Sequence, residues 1–287
     1  MPTQELTPGA YNYISVRPLS GALGAEIHGV DLSSAIADDV FAEIHRAFLD
    51  YLVIFFREQV LDPTDLKTFA ARFGVLDIHS ILQPIKGHPE VLPIFTEPED
   101  RHVYAEGWHA DVTYQKEPTL GAVLYALDVP DVGGDTLFAN QYLAYQAFSP
   151  AMRAMLDELS AIHSAAPIYG TRDHKKILKA VDHNVRGEQN EHPVVRTHPQ
   201  TARRALFVNE HYTIGFKDMT EQESKPLLQY LLAHAIQPEF TARFRWRKGS
   251  VAVWDNRCVL HCPVADYHGQ RRHMHRVSIS GDRPRHV

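Results

Sequence analysis

The chain has 287 residues, of which 44% are apolar and 22% charged, and this composition is typical of a folded globular protein rather than a disordered one. A formal net charge of -6 and the lack of any long Lys or Arg run exclude an extended basic surface for nucleic acid or a membrane. Any anion-binding site must therefore be local.

No repeat, low-complexity tract or linker divides the sequence, so we expect one domain over residues 1–287 with helical insertions. The first elements are predicted to be short strands within residues 13–30, broken by glycines, and a helix over residues 39–48. A dense apolar strand over residues 51–56 and a second helix over residues 64–73 follow.

Residues 121–127 and 135–139 have the pattern of two strands around a Gly-Gly turn. Ser149 is typical of a helix N-cap, and Pro150 of a first helical turn, which predicts a helix that continues over residues 151–162. Thr220 and Glu223 have the spacing of a capping box, although Pro226 suggests that the regular helix begins late or bends there.

From residue 240 to residue 279 the sequence alternates between apolar and polar residues, with turn residues between the short segments. Many short strands with helices at the front and in the middle indicate an antiparallel barrel or sandwich decorated by helices. Residues 164–192 carry no clear pattern, and we interpret this stretch as a possible lid.

The strongest chemical signal is a His-x-Asp pair, His109 and Asp111, together with the distant His261. In a strand, side chains two residues apart share a face, so the pair can point the same way. Two imidazoles and one carboxylate can occupy one triangular face of an octahedral Fe(II) and leave three positions open. The pair alone is weak evidence, because a chain with 18 histidines contains such pairs by chance.

The last predicted strand strengthens this hypothesis, because alternation places Arg272 and Arg276 on one face. At ~3.3 Å per residue they stand ~13 Å apart, far enough for each to hold a different carboxylate or sulfonate. The alternative is a solvated basic face on an edge strand.

The two cysteines, Cys258 and Cys262, flank His261. A zinc site is one interpretation, but no second ligand cluster accompanies it, so two free thiols in a reducing compartment are favoured.

The chain does not start with a basic and apolar leader, and it has no apolar run of ~18 residues, so we expect no membrane association and a cytoplasmic location.

Several motifs taken together resemble the taurine dioxygenase and aryloxyalkanoate dioxygenase family over about residues 15–283. They are Trp108-His109-x-Asp111-x-Thr113, Gly133-Gly134-Asp135-Thr136, Trp254-Asp255-Asn256-Arg257, His261, Asp266-Tyr267 and Arg272-x-Met274-x-Arg276. The resemblance implies a mainly β fold with flanking helices around a double-stranded β-helix, the cupin-like jelly roll.

The resemblance also implies an Fe(II) site formed by His109, Asp111 and His261, with dioxygen and 2-oxoglutarate as cosubstrates. Thr136 and Arg272 are the residues that would hold 2-oxoglutarate. No catalytic residue is expected beyond the metal centre. The matching substrate-contacting positions are His79, Leu82, Ala105, Tyr212 and Arg276.

Leu82 and Ala105 depart from taurine-specific members, which have polar residues at these two positions. A pocket without such groups cannot compensate a buried ammonium, which disfavours taurine itself. Tyr212 keeps a flat apolar wall. We therefore expect hydroxylation of a small anionic substrate, with a sulfonate or sulfate ester favoured over an aryloxyalkanoate or other carboxylate.

Two interpretations from other classes stay open on the sequence. A zinc hydrolase could use the same three ligands, but it would leave Thr136 and Arg272 without a role. A non-catalytic jelly-roll binding protein would tolerate the loss of a ligand, and all three are present.

The family resemblance further suggests a homodimer or homotetramer. His211, His273 and His275 are expected to face away or to pack, and residues 255–257 to form a turn.

Overall fold

The computed structural model describes residues 10–79, 82–100, 106–169, 185 and 187–286. Within them the strands, numbered in chain order, are β1 (Ser15–Pro18), β2 (Ala25–His28), β3 (Val53–Phe56), β4 (Leu76–Asp77), β5 (Val91–Thr96), β6 (Gly121–Asp128), β7 (Thr136–Asn140), β8 (Ser160–Ser164), β9 (Gln189–Pro193), β10 (Val195–Thr197), β11 (Arg204–Leu206), β12 (Thr213–Phe216), β13 (Thr241–Phe244), β14 (Val251–Asp255), β15 (Val259–Pro263) and β16 (Arg272–Ile279).

The helices of the described residues are α1 (Asp38–Tyr51), α2 (Pro63–Ala71), α3 (Gln141–Gln146), α4 (Pro150–Asp157), α5 (Ala166–Tyr169) and α6 (Glu221–Ala235), and a 3-10 turn spans Pro238–Phe240. Reciprocal capping boxes begin α2 at Asp62 and α6 at Thr220, while Asn140 and Ser149 cap α3 and α4. None of these helices is both long and apolar enough to cross a membrane.

Two sheets face each other and form the jelly-roll core. The large sheet has the order β1-β2-β3-β14-β6-β16-β4, with β5 also paired to β16, and the small one has the order β13-β7-β15. Phe55 of the large sheet stacks on Phe244 of the small one at 3.8 Å between ring centroids and meets Phe138 edge-on at 5.6 Å. The aromatic contacts therefore close the space between the sheets.

Strand β3 explains why its sequence is an uninterrupted apolar run. Val53 and Phe55 pack between the two sheets, whereas Ile54 and Phe56 pack on the other face, against α1 and α2. Both faces of this central strand are buried, so no position is left for a polar residue. Burial of each such side chain contributes roughly 1.5–3 kcal/mol to folding.

Two sequence predictions are corrected here. The helix that Ser149 begins ends at Asp157, not at residue 162, because residues 160–164 form β8, which pairs with β9 on one side and β12 on the other. Helix α6 begins at Glu221, directly after its N-cap Thr220 and not late, and Pro226 lies inside it. Tertiary strand pairing outweighs local helix preference in the first case, and the capping box outweighs the proline in the second.

The stretch 164–192, interpreted from the sequence as a lid, is described only at its two ends. Ser164 closes β8 and is followed by α5, while residues 189–192 belong to β9. Residues 170–184 and 186 lie outside the described part of the chain.

The burial of two histidines predicts that the free energy of unfolding decreases as the pH is lowered. His163 and His192 are 0% and 2% exposed, and burial holds the pKa of His163 well below its usual range and lowers that of His192 to about 4. An unfolded histidine titrates near ~6.5, so between pH 6.5 and 4 the unfolded chain binds protons that the folded chain does not. The free energy of unfolding therefore decreases as the pH falls through this window.

We expect the melting temperature of the metal-free protein to drop between pH 7 and pH 5. His192 donates from Nε2 to the Gln115 carbonyl at 2.9 Å, and the side-chain amide of His192→Gln can donate there without titrating. Each His that titrates only when unfolded contributes a slope of up to ~1.4 kcal/mol per pH unit, so His192→Gln should flatten the profile. A pH-independent melting temperature in the wild type would refute this assignment.

Candidate active site

His109 and His261 are joined by two backbone hydrogen bonds. The His109 N–H donates to the His261 carbonyl at 3.0 Å, and the His261 N–H donates to the His109 carbonyl at 2.8 Å. His261 lies in the middle of β15, whose other edge pairs with β7. Because directly opposed residues project their side chains to the same face, the imidazole centroids lie 4.2 Å apart.

The expectation that His109 and Asp111 share a strand is wrong. Only His109 makes a β-bridge, and the chain then turns through residues 111–114, with Val112 at a φ of 45°. One bridge is enough to align His109 with His261. The turn then brings the Asp111 carboxylate to the histidines, so the three groups converge by a different local route from the one predicted.

The three side chains form a tight, buried set of possible metal ligands. Asp111 Oδ1 lies 3.7 Å from His109 Nε2 and 3.6 Å from His261 Nε2, and the side chains are 4–8% exposed. The group is compact enough for one ion to contact all three atoms. Two nitrogen donors and one oxygen donor suit a first-row divalent metal such as Fe(II).

The protonation states at this site also suit a metal. His109 Nδ1 donates to the Gly107 carbonyl at 3.0 Å, which leaves the Nε2 lone pair facing Asp111. Burial holds the pKa of His109 well below its usual range and lowers that of His261 to about 4. Burial opposes ionisation of Asp111, but Arg276 and the histidines together lower its pKa. Neutral imidazoles and a carboxylate are the forms that bind metal ions.

Asn256 orients the carboxylate. Its amide nitrogen donates to Asp111 Oδ2 at 2.9 Å, and its amide oxygen accepts from Trp254 Nε1 at 2.9 Å and from the Asp111 N–H at 3.3 Å. Arg276 donates to the same Oδ2 at 2.8 Å. These contacts keep Oδ1 towards the histidines. The sequence predicted only a turn here, although the five-residue spacing from Asn256 to His261 placed it beside the site.

A cavity opens from the metal-ligand set between the two sheets. It encloses about 510 Å³ including its open mouth, and it contains both Arg272 and Arg276 in its wall. The rest of the lining is one hydroxyl residue, two residues of the ligand set and a wall of apolar and aromatic side chains: Thr136, then His109 and His261, then Ile94, Leu124, Phe138, Trp246, Trp254 and Pro263. The two arginines thus face one pocket, as their alternation predicted, and not solvent.

Arg272 is a buried cation with room for an anion. It is 5% exposed, burial lowers its pKa, and no carboxylate of the described residues lies within ion-pairing distance. Trp246 and Tyr267 flank its guanidinium with ring centroids at 5.9 and 6.0 Å. Thr136 accepts from Trp246 Nε1 at 2.9 Å, and its hydroxyl can donate at the same time. A bound carboxylate would compensate this charge.

The predicted substrate-contacting residues are not all at this cavity. Arg276 lines it, whereas His79, Leu82 and Tyr212 do not, although all three are buried. His79 accepts the Leu82 N–H at 3.2 Å through Nδ1. Tyr212 packs against Tyr114 at 5.2 Å between ring centroids. Ala105 lies outside the described residues. These four stay predictions.

The cysteines do not join a metal site with His261. Cys258 is buried and Cys262 half-buried, and neither forms a disulfide. Cys258 lies near His198 and Asp255, but both Asp255 oxygens accept hydrogen bonds from Arg257, at 2.7 and 2.8 Å, and one also bonds His198 at 3.0 Å. A carboxylate saturated in this way stabilises the turn before β15, in agreement with the predicted structural role of residues 255–257.

Sequence reasoning missed His211. It packs, as one of the two expectations had it, but the sequence did not show its partner: the His211 ring stacks on that of His109 with centroids 4.2 Å apart and planes 9° apart. The other two histidines so described, His273 and His275, are half-buried and do not line the cavity, as predicted.

Sites with two histidines, one carboxylate and open positions define the class of non-haem Fe(II) oxygenases, and the chemistry of this donor set falls within that class. The family model described as taurine catabolism dioxygenase TauD, TfdA family matches residues 15–278. The chain therefore belongs to this family.

Individual proteins agree with the family match. The chain is 33% identical to an alkylsulfatase of Acinetobacter baylyi, over 98% of this chain and 87% of that protein. It is also 33% identical to an alpha-ketoglutarate-dependent sulfate ester dioxygenase of Pseudomonas putida, over 94% of this chain and 91% of that protein. A solved taurine dioxygenase of Burkholderia xenovorans is 36% identical, with a TM-score of 0.83 over 95% of this chain and 91% of that chain.

This membership confirms the predicted jelly-roll fold and the enzyme class. The protein is an oxidoreductase, a dioxygenase that uses Fe(II), dioxygen and 2-oxoglutarate. Alpha-ketoglutarate, the cosubstrate in the names of several relatives, is another name for 2-oxoglutarate.

Proposed function

We propose that this protein hydroxylates a small organic sulfonate or sulfate ester, with 2-oxoglutarate decarboxylated to succinate in the same reaction. The observation that carries the proposal is the pair of buried arginines, Arg272 and Arg276, in the wall of one cavity that begins at the His-Asp-His set. Two fixed cations beside one metal site suit two anionic reactants.

His109, Asp111 and His261 are the proposed Fe(II) ligands. When it is bound there, the iron supplies the redox chemistry that inserts one oxygen atom of dioxygen into a C–H bond, while the other enters succinate. The balance is R–H, 2-oxoglutarate and dioxygen to R–OH, succinate and carbon dioxide. No further acid or base of the chain is required for this balance.

The cosubstrate is proposed to lie against Thr136 and Arg272. The guanidinium binds the distal carboxylate, and the Thr136 hydroxyl donates to the same group. Trp246 supports both residues, because it donates to Thr136 and flanks Arg272. Because the Arg272 guanidinium is buried, a neutral ligand would leave its charge uncompensated, and the site therefore selects a ligand with a negative charge.

Arg276 is proposed to bind the anionic end of the prime substrate, with His79, Leu82, Ala105 and Tyr212 as further contacts. Apolar walls from Ile94, Leu124 and Phe138 surround the same space and exclude water. Together they hold one substrate C–H bond at the metal side of the cavity, so that orientation determines which bond reacts.

The pocket and the similar proteins favour sulfonates and sulfate esters, and the chemistry of the product provides a signal by which their hydroxylation can be measured. If the hydroxylated carbon carries the sulfonate or the ester oxygen, the product breaks down to a carbonyl compound and sulfite or sulfate. Leu82, which is 1% exposed, offers no hydrogen bond to an ammonium, so an apolar body is preferred to taurine. The similarity to an alkylsulfatase and a sulfate ester dioxygenase supports this preference.

A succinate-release screen tests the proposal. The protein is incubated with Fe(II), ascorbate and 2-oxoglutarate, and with alkyl sulfates, alkanesulfonates, taurine and aryloxyalkanoates in parallel. We expect succinate and matching sulfate or sulfite with the first two classes, and little with taurine. Succinate and a phenol from the aryloxy acids alone would instead assign the carboxylate activity, and substrate-dependent hydrolysis without iron or 2-oxoglutarate would assign a zinc-type hydrolase.

The proposal extends to the organisation of the protein. The two core clusters each combine early and late residues, Ala22 with Met274 and Ile14 with Ile279, which supports one catalytic domain over residues 1–287. The unpaired thiols of Cys258 and Cys262 support a cytoplasmic location, where disulfides are rare. A homodimer or homotetramer is proposed from the family resemblance, and light scattering measures it.

A further inference from the structure

Residues Glu210 and His211 hold the loop that carries the first proposed metal ligand. The Glu210 N–H donates to the Trp108 carbonyl at 3.2 Å, and the Glu210 carboxylate accepts the Trp108 N–H at 3.3 Å. His211 Nε2 donates to the Glu106 carbonyl at 2.6 Å. Three hydrogen bonds therefore fix the backbone immediately before His109.

The fourth contact is made with the side chain of His109 itself. The His211 ring lies parallel to the His109 ring, with centroids 4.2 Å apart and planes 9° apart. The His261 ring stands 4.2 Å from His109 at 51°, and the Nδ1 hydrogen bond to Gly107 holds the edge of the ring. Within this group, His211 alone covers a face of His109 in parallel.

We propose that His211 is a positioning residue that sets the plane of the His109 imidazole for metal binding. This inference rests on the proposed role of His109 as an Fe(II) ligand. An imidazole binds a metal along its nitrogen lone pair, in the plane of the ring, so a ring free to tilt presents that lone pair in the wrong direction. Loss of the hydrogen-bond partner that orients a metal-binding histidine typically lowers metal affinity by roughly 10–100-fold, and we expect the stacked ring to act at the lower end of that range.

The loop is shaped for this contact. Gly107 has a φ of 104°, and a Cβ added there would lie 2.9 Å from His211 Nε2. Glycine is thus needed both for the backbone conformation and for the space that the His211 ring occupies. Because Nε2 carries the hydrogen donated to Glu106, His211 cannot bind the metal through that atom.

The experiment separates the ring from its hydrogen bond. His211→Phe keeps a planar ring but cannot donate to Glu106, and His211→Leu has neither the ring nor the donor. The affinity for Mn(II), which is stable in air, is measured by titration of the purified metal-free protein and by the EPR signal of free Mn(II). We expect His211→Leu to weaken Mn(II) binding by about tenfold or more, and His211→Phe to stay within about threefold of the wild type.

The chain offers a matched control in His234. This buried histidine stacks on Phe148 at 3.9 Å and donates from Nε2 to the Ala144 carbonyl at 2.8 Å, the same two contacts outside the site. His234→Leu should lower the melting temperature of the metal-free protein and leave the Mn(II) affinity unchanged. A parallel loss in affinity would identify a general effect of histidine removal and overturn the inference.

Either His211 variant tests the inference by itself, provided that a melting curve shows that it is folded. A folded His211→Leu protein with wild-type affinity overturns the inference, and so does a folded His211→Phe protein that loses affinity tenfold. If the wild type binds no Mn(II), the proposed metal site has failed, which is distinct from a failure of His211 alone.

Discussion

Asp111→Ala is expected to lower succinate-forming turnover by roughly 10³-fold or more, since metal-ion stabilisation is worth several kcal/mol and each ~1.4 kcal/mol is a factor of ten. The change removes the only anionic donor among the three proposed ligands and leaves Arg276 without its 2.8 Å partner. It should also abolish the weak visible absorption band that Fe(II) and 2-oxoglutarate form together under anaerobic conditions.

A control for the Asp111 variant is Asp157→Ala. Asp157 likewise accepts from an arginine, Arg204, at 2.8 Å, but it lies outside the site and does not line the cavity. Its removal should cost no more than a modest loss of stability and leave both turnover and the absorption band intact. A wild-type band in Asp111→Ala would exclude this carboxylate from the metal.

The two arginines are expected to separate the two anions. Arg272→Ala should raise the KM for 2-oxoglutarate, and Arg276→Ala that for the prime substrate, each by at least about 30-fold, because the loss of one partner of a buried charge pair costs roughly 2–5 kcal/mol. Since Arg276 also donates to Asp111, its variant is assayed with saturating Fe(II). Steady-state kinetics with each reactant varied in turn makes the measurement.

Comparison of the two KM values between the Arg272 and Arg276 variants is more informative than either KM alone. Lysine variants at the same positions retain the charge but lose the paired hydrogen bonds, so they should recover only part of the affinity. If Arg272→Ala and Arg276→Ala raised both KM values equally, the two arginines would form one shared anion site, and the assignment of separate reactants would be wrong.

Local patterns predicted several elements well because short-range physics determines them. The N-cap at Ser149 and the capping box at Thr220 satisfy orphan backbone donors with neighbouring side chains, which requires no tertiary contact. The alternation of Arg272 and Arg276 likewise follows from the two-residue period of a strand. The end of α4 could not be predicted in this way, because residues 160–164 gain two strand partners that are distant in sequence.

The sequence by itself determined the residue types of the proposed metal site, the common face of its two arginines and, through its motifs, the family. Only the tertiary structure decided how the site is assembled: the His109–His261 bridge, the turn that delivers Asp111, the amide of Asn256 and the ring of His211. The physical reason is range. A strand period or a helix cap acts within a few residues. The contacts of His109 with His261 and His211, and of Asp111 with Asn256, join segments about 100 to 150 residues apart, whose encounter depends on how the elements of the fold pack.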